Sequence, residues 1–536
     1  MAYVKSLIAL VLVLFLCGAG SICSGRQRGD NILKFAVHVS GMGKMDPHYA
    51  AGSQDRAFAD MVFNGLLRYK PGEAPAIEPD LAAQMPQLTM ENNRQVWTVL
   101  LRRGVLFHPG PQTPSYELTA DDVLFSFAKA ADEKQSAYAG EYNGISLEKQ
   151  GKYTIRFILD KPISSILFFP KITNYNGGFI VSKKAMEKMG TEAYQKHPVG
   201  TGPFMFQSRI PGEKLSLISH KDYFRGRPEL DGVEIFFIPD TEKRKQGLLS
   251  GALDVIIGSG EKGFARDLLK NGGIEIDAHG PGEVATIYLN TSIAPMDDIR
   301  VRKAIMHALD RNAFLEVSIK NLGGPVYSPV PAQFLPGGLT RSEVERLGLS
   351  YEPDIKKARE LLAEAGYPHG FRLDLIGSEK RVYRNYYRIL KELLARINIE
   401  CRVEILPHSQ MHKMIRNQPR PIVIYAAWRP NADVFLTRFF HSDSILLTGI
   451  RPDTNFAHYS GIDHLIEKAR LEIDPQKQVF LWQQAQIKIL SDAVAYPVMY
   501  SKMSCPRWDY VDYGHPLYSS MALYPQFTEK TRFLKN

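Results

Sequence analysis

The sequence predicts an α/β protein. Short runs rich in β-branched and aromatic residues read as strands, and stretches with apolar residues at i, i+3, i+4 and i+7 read as helices. After residue 284 the two alternate regularly, which is the pattern of an α/β fold. No internal repeat or low-complexity segment interrupts it. At 536 residues the length suggests about three or four domains.

In chain order, residues 31–39 read as a strand and 55–67 as a helix, and 95–101 and 153–159 read as strands. Thr119-Ala120-Asp121-Asp122 resembles a capping box with Asp in the place of Glu. It opens a helix with Val123, Phe127 and Ala130 on one face. Residues 214–218 and 233–238 read as strands and 241–249 as a helix. Asp297-Asp298 caps a helix whose Val301, Ala304, Ile305, Ala308 and Leu309 form one stripe. Ala358, Leu361, Leu362 and Ala365 repeat the stripe, and Gly366 closes that helix. A strand at 371–376, a helix at 383–397 and a strand at 400–406 lead to the apolar run 422–427, a buried strand. That strand ends in the open loop 428–433, Trp-Arg-Pro-Asn-Ala-Asp, where an aromatic, a guanidinium, an amide and a carboxylate meet. Helices at 462–470 and 476–490 follow.

The composition, 44% hydrophobic and 23% charged, is that of a soluble globular protein. Lys and Arg are scattered, so the net charge of +9 marks no nucleic-acid surface. Lys5, the unbroken apolar residues 7–16 and the small residues Gly18 to Ser21 form a signal-peptide pattern within residues 1–25, too short to span a bilayer. The expectation is an exported chain, periplasmic or otherwise extracytoplasmic. Cys17 and Cys23 flank the small residues. Cys23 is the better candidate for a lipid, although Ile22 before it is bulkier than such sites prefer. Cys401 and Cys505 can pair in an oxidising compartment or stand as separate buried thiols.

Catalytic patterns are thin. No GxSxG, HExxH, Walker or CxxC pattern occurs, so no enzyme, cofactor or metal is expected. His408 and His412 share a helix face, yet the residues between them lack the glutamate of a zinc hydrolase. Asp121-Asp122 and Asp297-Asp298 sit at helix starts, where capping explains them. Val199-Gly200-Thr201-Gly202-Pro203-Phe204 lacks the Lys-Ser/Thr of a phosphate loop.

Several pieces together resemble the solute-binding proteins of ABC importers, in the large peptide- and nickel-binding group called family 5. They are Met45-Asp46-Pro47-His48, Asn64-Gly65-Leu66, residues 101–107 with Leu118-Thr119-Ala120-Asp121-Asp122-Val123, residues 199–204, and Asp222-Tyr223-Phe224-Arg225-Gly226. Residues 298–311, residues 358–371 and Asn455-Phe456 complete the series. The resemblance implies a two-lobed periplasmic-binding-protein fold of type II-like, hinged form with an extra α/β insert domain. It divides the chain into 31–77 and 199–283 for the first lobe, 78–198 for the insert, 284–510 for the second lobe and 511–536 for a returning tail. It implies an oligopeptide or peptide-like solute, permease subunits as membrane partners and a monomer.

The resemblance carries site residues over as follows. Ala51, Gly52, Ser53 and Gln54 form one wall, with Tyr138 from a Ser-x-Tyr-Ala setting. Tyr425, Ala427, Trp428, Arg429 and Asn431 form the other, with His408 near an aromatic cleft position. Peptide-binding relatives place an aspartate where this chain has Asn431, so Asp433 is the candidate partner for a ligand ammonium. A nickel chelate, haem, opine or oligosaccharide in the same fold is the alternative. With Trp97 and Trp482 read as core, cleft tryptophans are few for a sugar binder. A secreted hydrolase lacks a motif, and a DNA-binding regulator lacks an N-terminal helix-turn-helix.

Overall fold

The computed structural model describes residues 30–534 apart from 51, 317, 318, 320 and 523. The signal-peptide pattern, Cys17 and Cys23 lie outside the described residues.

Two long antiparallel strands, Ile274–Leu289 and Ala495–Trp508, organise the chain. They lie within a nine-stranded sheet. On one flank Ile274–Leu289 pairs with Ile422–Ala427; on the other Ala495–Trp508 pairs with Val255–Ile256, followed by Ile32–Val37, Gly232–Phe237, Lys214–Ser219 and Phe204–Ile210. The short Gly323–Pro325 pairs beside Ala495–Trp508. Neither long strand is expected from the sequence, because Gly280-Pro281-Gly282, Pro497 and Pro506 are local breakers. The register slips between His279 and Glu283, with Gly280 at φ 110° and Gly282 at φ 78°. Such a bulge bends the ladder there.

The strands serve two cores. Val284 to Leu289 and Ala495 to Met499 belong to an apolar cluster with the helices Ile299–Ala308, Arg381–Ala395 and Pro475–Ser491. Cys505 belongs to a second cluster with Leu33, Phe35, Ile235 and Ile257. These are the two lobes. The tail closes the first: Phe35 meets Tyr524 and Phe527 edge-on at 6.0 and 5.3 Å. The four-stranded antiparallel sheet of Gln87–Glu91, Arg94–Leu100, Thr154–Leu159 and Ile145–Lys149 shares this cluster through Val99 and Phe157, with Phe127 of the helix Ala120–Ala130 packed on it. Cys401 and Cys505 lie in different cores and both are free thiols. Trp97 and Trp482 are buried as expected.

Local signals set several element ends. Ile422–Ala427 and Thr241–Leu249 have the bounds read from sequence. Thr119 and Asp122 form the capping box, and Asp298 caps Ile299–Ala308. The helix expected at 55–67 is Ser53–Val62, ended by extended Phe63. The loop expected at 428–433 stops at Asn431, which caps the helix Ala432–Phe440.

The sequence motifs fix the joints of the first lobe. Gly200 and Gly202 allow close backbone approach: a Cβ there would lie 2.0 Å from Val62 O and 2.4 Å from Met61 O. Thr201 Oγ1 donates to Asn64 Oδ1 (2.9 Å), and Asn64 Nδ2 donates to Asp80 (2.8 Å) and to Tyr223 OH (3.1 Å). Arg225 Nε donates to Asp80 from the other side (3.0 Å). Asp46, fully buried, pairs with the buried Lys129 Nζ at 2.9 Å, while His48 Nε2 bonds to Phe179 O at 2.9 Å. That pair ties the loop carrying residues 46–54 to the helix Ala120–Ala130.

Breaking it leaves a buried charge alone. Lys129→Met is expected to cost about 3–5 kcal/mol, read as a lowered urea midpoint. The double variant Asp46→Asn/Lys129→Met should recover most of that loss.

Candidate functional site

Ile422–Ala427 is an edge strand of the large sheet. One side pairs with Ile274–Leu289, placing Ala427 opposite Val284. On the free side Ile424 N–H donates to Tyr387 OH (3.2 Å) and Ala426 N–H to Tyr383 OH (3.3 Å). Both tyrosines come from one face of Arg381–Ala395 and satisfy donors that an edge otherwise leaves open. Alternation puts the Trp428 amide on the same free side, one rung beyond Tyr383.

Trp428 reaches the first lobe. Its ring packs on a small cluster of Tyr69, Ala74, Tyr175 and Met521, edge-on to Tyr175 at 6.5 Å. Arg56 lies over the Tyr175 ring at 5.0 Å and donates to its hydroxyl at 3.1 Å. A cation–aromatic stack therefore bridges the lobes. Burial pushes the Tyr175 hydroxyl up to about 12, so it stays protonated.

Of the other wall, Ala51 lies outside the described residues. Gly52 N-caps Ser53–Val62. Its amide donates to one oxygen of Asp55 and the Gly43 amide to the other, each at 3.2 Å, so Asp55 staples two loops. Ser53 opens the helix, and Gln54 folds its side chain back against Gly52. The Tyr138 hydroxyl donates to the Ala50 carbonyl.

Asn431 and Asp433 are both engaged. Asn431 Oδ1 accepts from Val434 N–H (2.9 Å) as a helix cap. Asp433 pairs with Arg470 Nε (2.9 Å); burial raises its pKa and the guanidinium opposes the rise. With Tyr175 and Lys171 they line a cavity of about 310 Å³ between the helix Ala432–Phe440 and the insert. A second cavity, about 570 Å³, lies where Glu261 of the first lobe faces Arg381 and Tyr386 of the second. Glu261 and Arg381 pair across it at 2.7 Å.

The expected helix start at His408 holds a chain of hydrogen bonds. Arg416 Nη2 donates to Tyr425 OH (3.1 Å) and Nη1 to His412 Nδ1 (3.2 Å). His412 Nε2 then carries the proton and donates to His408 Nε2 (3.1 Å), and His408 Nδ1 donates to Ser378 Oγ (3.0 Å). His412 Nε2 thus has no lone pair for a metal, and no group of three metal-ligating side chains occurs among the described residues. Arg429 lies over Phe439 at 4.8 Å, its Nη1 donating to Trp428 O at 2.8 Å.

The sequence reading missed Arg56, Tyr175, Tyr383, Tyr387 and Arg416. Only the tyrosines left a signal: Tyr383 and Tyr387 are four apart on the amphipathic helix Arg381–Ala395.

The family model for bacterial extracellular solute-binding proteins, family 5, matches residues 76–445. The chain belongs to this family. Heme-binding protein A of Haemophilus influenzae is 27% identical over 537 residues, covering 92% of this chain and 93% of that protein. Among solved structures, MoaA of A. tumefaciens R10 in complex with mannopinic acid is 32% identical with a TM-score of 0.72, covering 95% of this chain and all of that one. DppA of Helicobacter pylori in complex with the peptide STSA is 26% identical with a TM-score of 0.69, covering 94% and 98%. Members of this family are solute-binding proteins. No described helix is long and apolar enough to cross a membrane.

Burial, His408 and Arg416 push His412 down to about 4 from its ordinary 6.5. The unfolded chain therefore takes up this proton first. Stability is complete above 6.5 and is lost as pH falls from 6.5 towards 4. His412→Gln is expected to narrow the difference in Tm between about pH 7 and about pH 5 by about one degree, measured by scanning fluorimetry.

Proposed function

We propose that this chain is the extracytoplasmic solute receptor of an ABC importer. It holds an oligopeptide or peptide-like solute between two closing lobes and delivers it to permease subunits in the membrane. It acts as a monomer, binds without covalent chemistry and uses no cofactor. The single observation that carries this is the edge strand Ile422–Ala427. It leaves the Trp428 amide open beside the gap between lobes, although Arg429 holds the carbonyl, and an open amide suits an extended peptide taken up as an added strand. Gly52, Gln54 and Tyr138 form the facing wall, and Ala51 and Ser53 of the same segment are carried as ligand contacts from the sequence. Residues 1–25 direct export, and Cys23 is the lipid acceptor; the mass of the mature N-terminus checks both.

A non-peptide acid is the second reading. One observation favours it: Asn431 caps a helix and Asp433 is held by Arg470, so neither is free for a ligand ammonium. The likeness to a protein solved with mannopinic acid supports it. A haem or nickel chelate and an oligosaccharide have less support, because His412 is wired as a donor and Trp428 stands alone among cleft tryptophans.

Native mass spectrometry of protein isolated from its own compartment tests the two readings. A ladder of peptide masses is expected; a single non-peptide mass sinks the first reading. Trp428→Ala should release the bound solute, weakening binding by about tenfold or more.

A further inference from the structure

We propose that Ser164 and Gln478 are the latch of the clamp: a hydrogen bond between the insert and the second lobe, made on closure by a serine that caps its own short helix when the lobes part. This rests on the solute-receptor reading above and names the device that holds its closed form.

Ser164 lies in the insert and Gln478 in the second lobe, 314 residues along the chain. Both are fully sheltered, at 1% and 0% exposure. Ser164 Oγ donates to Gln478 Oε1 at 2.5 Å. The far end of the amide fixes that direction. Gln478 Nε2 donates to Ala469 O at 2.7 Å, with Glu472 O at 3.5 Å as its second acceptor. Carbonyls only accept, so Oε1 faces the insert and the serine must give its proton. The same bonds brace the turn between the helices Asp463–Leu471 and Pro475–Ser491, so the second lobe alone places Gln478.

Ser164 is placed by the other lobe. Gln95, buried in Arg94–Leu100, accepts from Ile163 N–H at 3.0 Å and donates to Ile163 O at 2.9 Å. Further on, Phe168 stacks on Trp97 at 5.2 Å within the first core. Between these anchors Ile166 and Leu167 pack on the second core. The segment thus belongs to one lobe and lends a face to the other.

Two features make this a latch and not a permanent joint. The contact is thin. The cavity of about 310 Å³ separates the same two lobes, with Ile163, Leu167 and Tyr175 on one side and Asn431, Val434 and Arg470 on the other. A permanent interface packs to the density of a core, whereas here a void parts the points of contact. The serine also has a second use. It stands at the N-cap of the helix Ser165–Phe168, yet its side chain makes no capping bond. Serine suits that position because its hydroxyl accepts from an amide of the first turn. When the lobes part, the hydroxyl takes up that bond and Gln478 Oε1 meets water. Opening therefore strands no buried polar group.

Acrylamide quenching of Trp428 in protein freed of solute tests this, because closure is what sets its ring against Tyr175 of the insert. Trp428→Phe supplies the background of the other tryptophans. Ser164→Ala leaves Gln478 Oε1 buried without a donor in the closed form alone. It is expected to raise the open fraction, and to weaken calorimetric binding of trialanine or mannopinic acid, by about tenfold each at unchanged Tm. Ser164→Thr, which keeps the hydroxyl, should quench as the wild type does. Equal quenching of Trp428 in wild type and Ser164→Ala, with or without a lowered Tm, marks a permanent joint and overturns the latch. If wild type binds neither probe, that counts against the receptor reading, and the quenching comparison decides the latch by itself.

Discussion

Everything in this molecule hangs on the antiparallel pairing of Ile274–Leu289 with Ala495–Trp508. Val284 to Leu289 and Ala495 to Met499 line one core, while at the other end Cys505 enters a second and Ile274 a small third. The lobes are therefore not beads on a linker. They share backbone hydrogen bonds, and the shared ladder is interrupted between His279 and Glu283. Gly282 sits at that slip with its α-carbon against the Phe334 ring, where a Cβ would approach to 2.4 Å. The bulge is thus packed as well as bent.

Electrostatics divides the structure in two. Away from the gap between lobes, buried charge is settled internally: Asp46 with Lys129, Asp80 with Arg225, Asp277 with Arg507. Burying such pairs gains little by itself, but it fixes which segments meet. Near the gap Asp433 with Arg470 and Glu261 with Arg381 follow the same rule, whereas Arg416 and Arg429 rest on neutral partners, the Tyr425 hydroxyl and the Trp428 carbonyl.

Much of the fold was legible where local chemistry decides it. The strand Ile422–Ala427, the box at Thr119 and Asp122, the cap at Asp298 and the left-handed Gly366 all depend on residues within one or two turns. The long strands were not legible, since glycines and prolines inside them are overruled by pairing with distant chain. The site was half legible. Trp428 and Arg429 stand out where a strand stops, but Asn431 reads equally as ligand contact or helix cap, and only its bond to Val434 N–H decides for the cap. Arg416 gave no signal at all. Its bonds to His412 and the Tyr425 hydroxyl join a helix to a separate strand, and only the folded chain brings those together.

The edge-on contacts of Phe35 with Tyr524 and Phe527 join segments that lie on either side of the second lobe in the chain. The first core therefore closes only by bringing together residues far apart in sequence, and closing so large a loop is the slow kind of contact to form.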